Sequence, residues 1–107
     1  RDDLIISSGY NIPGPEVENV IQELEEVTEV AVIGAPDETR GQIVKAFVVT
    51  AEGVDTGESL ETDIQDHVKA TLAKHEYPRA VEFLEEFPTT ESGKIRRKDL
   101  RERERSE

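Results

Sequence analysis

Two glycine-bearing loops hold the residues best suited to chemistry. The first, Ser7-Ser8-Gly9-Tyr10-Asn11, follows a short apolar run and leads through Pro13 and Pro15 to Glu16-Val17-Glu18. A glycine between a strand and a turn lets the backbone come close to a ligand. The same residues would equally make an ordinary tight connection from strand to helix. The second, Pro88-Thr89-Thr90-Glu91-Ser92-Gly93-Lys94, sets one lysine just past a hydroxyl-rich turn. An ammonium group there can stabilise charge developing on a substrate oxygen. Its plainer reading is a solvated loop lysine. The spacing is not that of a Walker loop, which needs Gly-x-x-x-x-Gly-Lys-Ser/Thr. Cysteine is absent, which removes thiol nucleophiles, disulfides and cysteine-ligated zinc. The two histidines, His67 and His75, are too few for a histidine-rich metal site, so none is expected, and each reads as a surface or packing residue.

Both loops must be held by regular elements around them. Asp3 to Ser8 reads as a strand or one arm of a hairpin, and residues 9–15 are so dense in turn formers that they read as loop. Pro15 suits a first helical position, and Glu16 and Glu18 complement a helix N-terminus. Val17, Val20, Ile21 and Leu24 keep helical spacing and predict an amphipathic helix over residues 15–26. Val27 to Ile33 is β-branched and reads as a strand closed by Gly34-Ala35-Pro36-Asp37; Gln42 to Thr50 carries the strongest strand signal. Leu60, Ile64, Val68 and Leu72 mark a second helix near residues 59–74. Ala80 to Leu84 reads as a third core strand, and Ile95 to Arg103 opens a short last helix whose tail, Arg101 to Arg105, reads as solvated. The order β-α-β-β-α-β-α predicts a small mixed α+β domain: a central sheet of about three strands flanked by helices, with a short N-terminal β-hairpin arm.

Charge and composition narrow the class. The 107 residues suit one domain. No apolar run approaches the ~20 residues of a membrane-spanning helix, so no membrane span is expected. With no basic-then-apolar leader at its start, the simplest compartment is cytoplasmic. The chain opens on Arg1-Asp2-Asp3 without a methionine and reads as a piece of a longer polypeptide. Acids outnumber bases by 25 to 13, and arginine outnumbers lysine, giving a net charge of −12. An acidic, lysine-poor surface around a patterned core is expected of a halophilic protein, because at 1 M salt the Debye length shrinks to about 3 Å and self-repulsion fades. An ordinary acidic bacterial domain is the alternative. From Lys94 to the end, seven bases face four acids, a local +3 that leaves −15 on the preceding 93 residues. Nucleic acid is nevertheless not an expected partner. The overall charge opposes phosphate binding, and no base-stacking aromatics accompany the basic cluster.

Taken in order, two segments carry a specific resemblance. Asp2-Asp3-Leu4-Ile5-Ile6-Ser7-Ser8-Gly9-Tyr10-Asn11-Ile12, running on to Gly14-Pro15-Glu16-Val17-Glu18, is followed far downstream by Pro88-Thr89-Thr90-Glu91-Ser92-Gly93-Lys94-Ile95 with Arg97, Leu100 and Arg101. This pattern resembles the C-terminal domain of the acyl-adenylate-forming enzymes: acyl-CoA synthetases, peptide-synthetase adenylation domains and firefly luciferase. It spans Asp2 to Arg101. The stretch from Gly34 to Val49 and the run Tyr77-Pro78-Arg79 are similar to the medium-chain acyl-CoA and benzoate or aminobenzoate-CoA ligases.

The resemblance implies a mobile lid of an AMP-forming acid–CoA ligase, of a kind found in fatty acid metabolism. A large N-terminal domain of the same polypeptide, absent from this chain, would bind ATP, its Mg2+ and the carboxylic acid. Lys94 then corresponds to the adenylation lysine and Asp2 to the hinge. Ser8, Gly9 and Tyr10 correspond to the loop lining the passage for the CoA thiol arm. Arg40 and Lys69 align with positions that hold the phosphorylated nucleotide of CoA. Asn11 departs from the arginine many relatives carry there, which removes one expected anion contact. A carrier-protein phosphopantetheine in place of free CoA is the alternative acceptor, and the 107 residues alone are expected to be inactive.

Overall fold

The computed structural model describes residues 4–87 and 97–106 of the chain. Asp2 and Lys94 therefore lie outside the described residues.

The N-terminal arm is a hairpin. β1 (Leu4–Ser7) and β2 (Tyr10–Pro13) pair antiparallel, with Ser7 opposite Tyr10 and Ile5 opposite Ile12. Ser8 (φ 51°) and Gly9 (φ 83°) alone make the turn. Positive φ at both central positions is the two-residue geometry whose twist matches that of the flanking strands. Glycine adopts it freely, whereas Ser8 gives up roughly 1 kcal/mol to stay there. Because the reversal is complete within these two residues, the chain is extended again by Tyr10. The expected loop over residues 9–15 is thus corrected: its first half is a strand that buries Ile12 completely.

α1 (Gly14–Ile21) carries Pro15 in its first turn and buries Val17, Val20 and Ile21. It stops at Ile21 rather than running to residue 26. Glu23, Glu25 and Glu26 oppose the negative end of the helix dipole. The chain leaves instead through tighter turns, Glu23 N–H to the Val20 carbonyl and Leu24 N–H to the Ile21 carbonyl. Leu24 still packs on the core, which accounts for its helical spacing without a helical backbone.

The central sheet has the order β3-β4-β5. β3 (Val27–Asp37) and β4 (Gly41–Thr50) form a long antiparallel pair, and β5 (Ala80–Phe83) adds parallel to β4 after the crossover helix α2 (Glu58–Thr71). β3 continues through Pro36 instead of closing at Ile33. It is an edge strand, where a missing N–H costs no ladder bond. Period-two alternation gives the sheet two apolar faces. Val30, Val32, Val44, Ala46 and Val48 pack with Val17, Val20 and Ile21 of α1 and Leu60, Ile64 and Val68 of α2. Ala31, Ile33 and Phe47 on the opposite face pack with Phe87 and with Leu100 of α3 (Arg97–Ser106). The result is an α+β domain of three layers, and Phe87 and Leu100 bracket the segment that contains Lys94.

One side chain ties the hairpin to the sheet. Gln42 Oε1 accepts the Ile6 N–H at 2.9 Å, and the Gln42 amide lies across Gly34. A Cβ at Gly34 would stand 2.7 Å from the Gln42 Cδ, so this strand position is kept bare for the glutamine.

Candidate functional site

The hairpin tip meets the body of the domain at two points. Ser8 N–H donates to the Arg40 carbonyl at 2.9 Å, which brings the turn against the β3–β4 connection. That connection is set by Asp37, whose Oδ2 accepts the N–H groups of Thr39 at 3.1 Å and Arg40 at 2.9 Å. Arg40 Nη1 also lies 4.0 Å from Asp37 Oδ2, a long ion pair, and about a third of its side chain is exposed (34%). On the other side, the Tyr10 ring stacks on His75, centroids 4.0 Å apart and planes 14° from parallel. Tyr10 is 52% exposed even so, which makes it an aromatic surface open to a ligand.

Lys69 belongs to an adjoining group. Near the C-terminal end of α2, its Nζ lies 4.4 Å from the centre of the Tyr77 ring, and Arg79 Cζ lies 5.0 Å from the same ring. Two cations on one aromatic ring form a positively charged platform. The turn from His75 to Tyr77 joins this platform to the hairpin tip. Ser8, Gly9, Tyr10 and Arg40 are therefore brought together, and Lys69 is placed beside them through Tyr77. His75, read as a surface or packing residue, packs its ring on Tyr10, a partner that the sequence did not name. No local signal announces that contact, since the two residues lie far apart in the chain. His67, by contrast, sits on α2 and contacts exposed Glu23 at 2.9 Å, a surface pairing.

α3 is fastened by charge as well as by Leu100. Lys45 is only 13% exposed, and its Nζ lies 3.0 Å from Glu82 Oε1 and 2.7 Å from Glu104 Oε2. Arg103 joins from the same face of α3 by pairing with Glu82. The helix tail expected to be solvated thus turns Arg103 and Glu104 onto the sheet. Burial pulls the Lys45 pKa down, but hydrogen bonds and charge from Glu104 and Glu82 outweigh it, and the pKa stands above the ordinary lysine value. A raised lysine pKa stabilises the fold fully below the unfolded value of about 10.4 and ceases to do so as pH rises through the higher folded value. Lys45→Met will take away the cation between Glu104 and Glu82, of which Glu82 keeps Arg103, and lower stability by about 1–2 kcal/mol in urea unfolding at neutral pH. The unsubstituted domain will keep this contribution from about pH 7 to 9 and lose it above about pH 10.5, an alkaline loss the variant will lack.

Residues 16–94 match the family described as the AMP-binding enzyme C-terminal domain. The chain belongs to that family. The match bears out the resemblance carried by the two glycine loops. Among relatives of this C-terminal domain, the mitochondrial acyl-coenzyme A synthetase ACSM3 of Mus musculus is 48% identical over 105 residues, which is 96% of this chain and 18% of that protein. The crystal structure of the Brucella canis acyl-CoA synthetase superposes with a TM-score of 0.94 at 45% identity, over 98% of this chain and 19% of that one. The anthranilate CoA ligase AuaEII, solved in complex with anthranoyl-AMP, gives a TM-score of 0.89 at 36% identity, over 96% of this chain and 20% of that one. The chain thus spans about a fifth of the length of the relatives it matches.

Proposed function

We propose that this C-terminal domain is the mobile lid of an ATP-dependent, AMP-forming acid–CoA ligase. A large N-terminal domain of the same polypeptide would bind ATP with its Mg2+ and the carboxylic acid. In the first step a carboxylate oxygen attacks the α-phosphorus of ATP; the new P–O bond forms as the bond to pyrophosphate breaks. Lys94 supplies an ammonium group between the two anions, lowering the repulsion that opposes their approach. The lid then turns about Asp2. In the second step the CoA sulfur, having lost its proton, attacks the acyl carbonyl; the C–S bond forms and AMP leaves.

The residues for the second step are those gathered at the hairpin. Ser8, Gly9 and Tyr10 line the passage of the thiol arm, and Arg40 and Lys69 hold the phosphorylated nucleotide of CoA. What carries this reading is the juxtaposition of the Ser8-Gly9 turn with Arg40 and, through the turn at His75–Tyr77, with the Lys69–Tyr77–Arg79 platform. Arginine can grip phosphate bidentately, while lysine acts as a point charge. The same cations favour free CoA over a carrier protein, whose arm lacks the nucleotide. The enzyme on this reading is cytoplasmic and works at high salt, and the choice of acid belongs to the N-terminal domain.

The test is product analysis on the full-length parent protein in molar salt, with ATP, CoA and a panel of medium-chain and aromatic acids. The expected result is one AMP and one pyrophosphate for each thioester formed. Release of ADP and phosphate would overturn the reading. Adenylate formed but passed only to a carrier-protein phosphopantetheine would replace CoA by the alternative acceptor.

A further inference from the structure

We propose that His75 is a positioning residue for thioester formation: its imidazole, stacked on Tyr10, fixes the tip of the hairpin that faces the CoA thiol arm. The inference rests on the assignment of Ser8, Gly9 and Tyr10 to that arm.

The hairpin is a narrow two-stranded ribbon, marginal in isolation, so its tip is only as well placed as its ties to the body. At its base it has two apolar anchors, Ile5 and Ile12, both buried. Midway, Gln42 accepts the Ile6 N–H, and at the turn the Arg40 carbonyl accepts the Ser8 N–H. These ties hold backbone. The Tyr10 side chain points outward, half exposed, and among the described contacts its one aromatic partner is His75. Free of that ring, Tyr10 would sample several rotamers, and a ligand binding beside it would have to order it.

His75 is itself held firmly. It is the middle residue of a 3₁₀ turn, Lys74–Glu76, that Glu76 closes in two ways. Glu76 N–H donates to the Ala73 carbonyl at 3.0 Å, and Glu76 Oε1 accepts the Ala73 N–H at 3.1 Å. Glu76 is 9% exposed, so this closure is sheltered from water. Immediately beyond, Tyr77 carries Lys69 and Arg79. The turn therefore registers two surfaces against each other, the thiol-arm tip through Tyr10 and the cationic platform through Tyr77. A catalytic site needs this kind of rigid registration, because reactive distances tolerate little play.

The experiment uses the full-length parent enzyme and measures the two half-reactions separately. His75→Ala is expected to raise the KM for CoA about three- to tenfold in the transfer of pre-made acyl-adenylate to CoA. Pyrophosphate formation from ATP and acid stays within about twofold of the parent. His75→Phe, which keeps a flat ring, restores the KM. Tyr10→Ala shows a similar defect, and the His75→Ala, Tyr10→Ala double variant is no worse than Tyr10→Ala alone, as expected when one residue acts only through the other. Additive effects, failure of phenylalanine to rescue, or equal loss in both half-reactions would overturn the inference. Obstruction at Gly9 in the same assay separates the premise: if Gly9→Leu slows thioester formation while His75→Ala does nothing, only the His75 inference fails. If Gly9→Leu also has no effect, the assignment of the hairpin to the thiol arm fails with it.

Discussion

Lys94→Ala in the full-length parent enzyme will reduce pyrophosphate formation from ATP and acid by about a hundred- to a thousandfold. Transfer of pre-made acyl-adenylate to CoA will stay within a few fold of the parent. On the proposed ligase reading, the asymmetry follows from where charge has to be brought together. In the first step a carboxylate must approach the α-phosphate of a nucleotide, and an ammonium group in a water-poor cleft lowers that barrier where no solvent can. In the proposed second step the phosphate leaves as AMP, and the nucleophile would arrive from the hairpin side of the lid. Stopped-flow measurement of each half-reaction at high salt checks the claim. Equal loss in both halves would make Lys94 a residue of general importance to the fold. Loss in neither would make it a surface lysine.

Gly9→Leu will produce the mirror image. Gly9 sits at φ 83° with no heavy atom within 4 Å of where a Cβ would stand, so within this domain a side chain meets open space. The folded domain will give up only about 1–2 kcal/mol, the backbone penalty of a left-handed residue. Thioester formation is expected to fall by about ten- to a hundredfold, because a displacement of about 1 Å in a reacting group can cost that much. Adenylation is expected to continue. A matched control separates obstruction from strain. Gly53, in the connection between β4 and α2, has φ 82° and the same open surroundings. Gly53→Leu will destabilise the domain to a similar extent while leaving both half-reactions intact.

Much of the domain was legible along the chain because its elements are local. Val17, Val20 and Ile21 on α1, Leu60, Ile64 and Val68 on α2, and the β-branched run of β4 each announce one buried face within a window of a few residues. The glycine motifs were readable for a related reason, since the order of residues in them is a property of short segments, and of the two only the turn at Ser8 and Gly9 lies among the described residues. Those motifs sufficed to place the chain among acyl-adenylate-forming enzymes and to single out Gly9 and Lys94. The continuation of β3 through Pro36 and the return strand Tyr10–Pro13 were not legible. Both depend on a neighbour, an open sheet edge in one case and the pairing with β1 in the other.

The same distinction separates the candidate residues from the arrangement that unites them. The side-chain types at Tyr10, Arg40, Lys69 and His75 are written in the chain, but their proximity is not. The Tyr10–His75 stack, the seat of Gln42 on bare Gly34, and the burial of Lys45 between Glu82 and Glu104 each join residues from different elements. Periodicity says which face of an element is apolar and nothing about which partner covers it. A stack or a charge cluster forms only when the three layers have packed, because only packing removes the water and the freedom that would otherwise keep such groups apart.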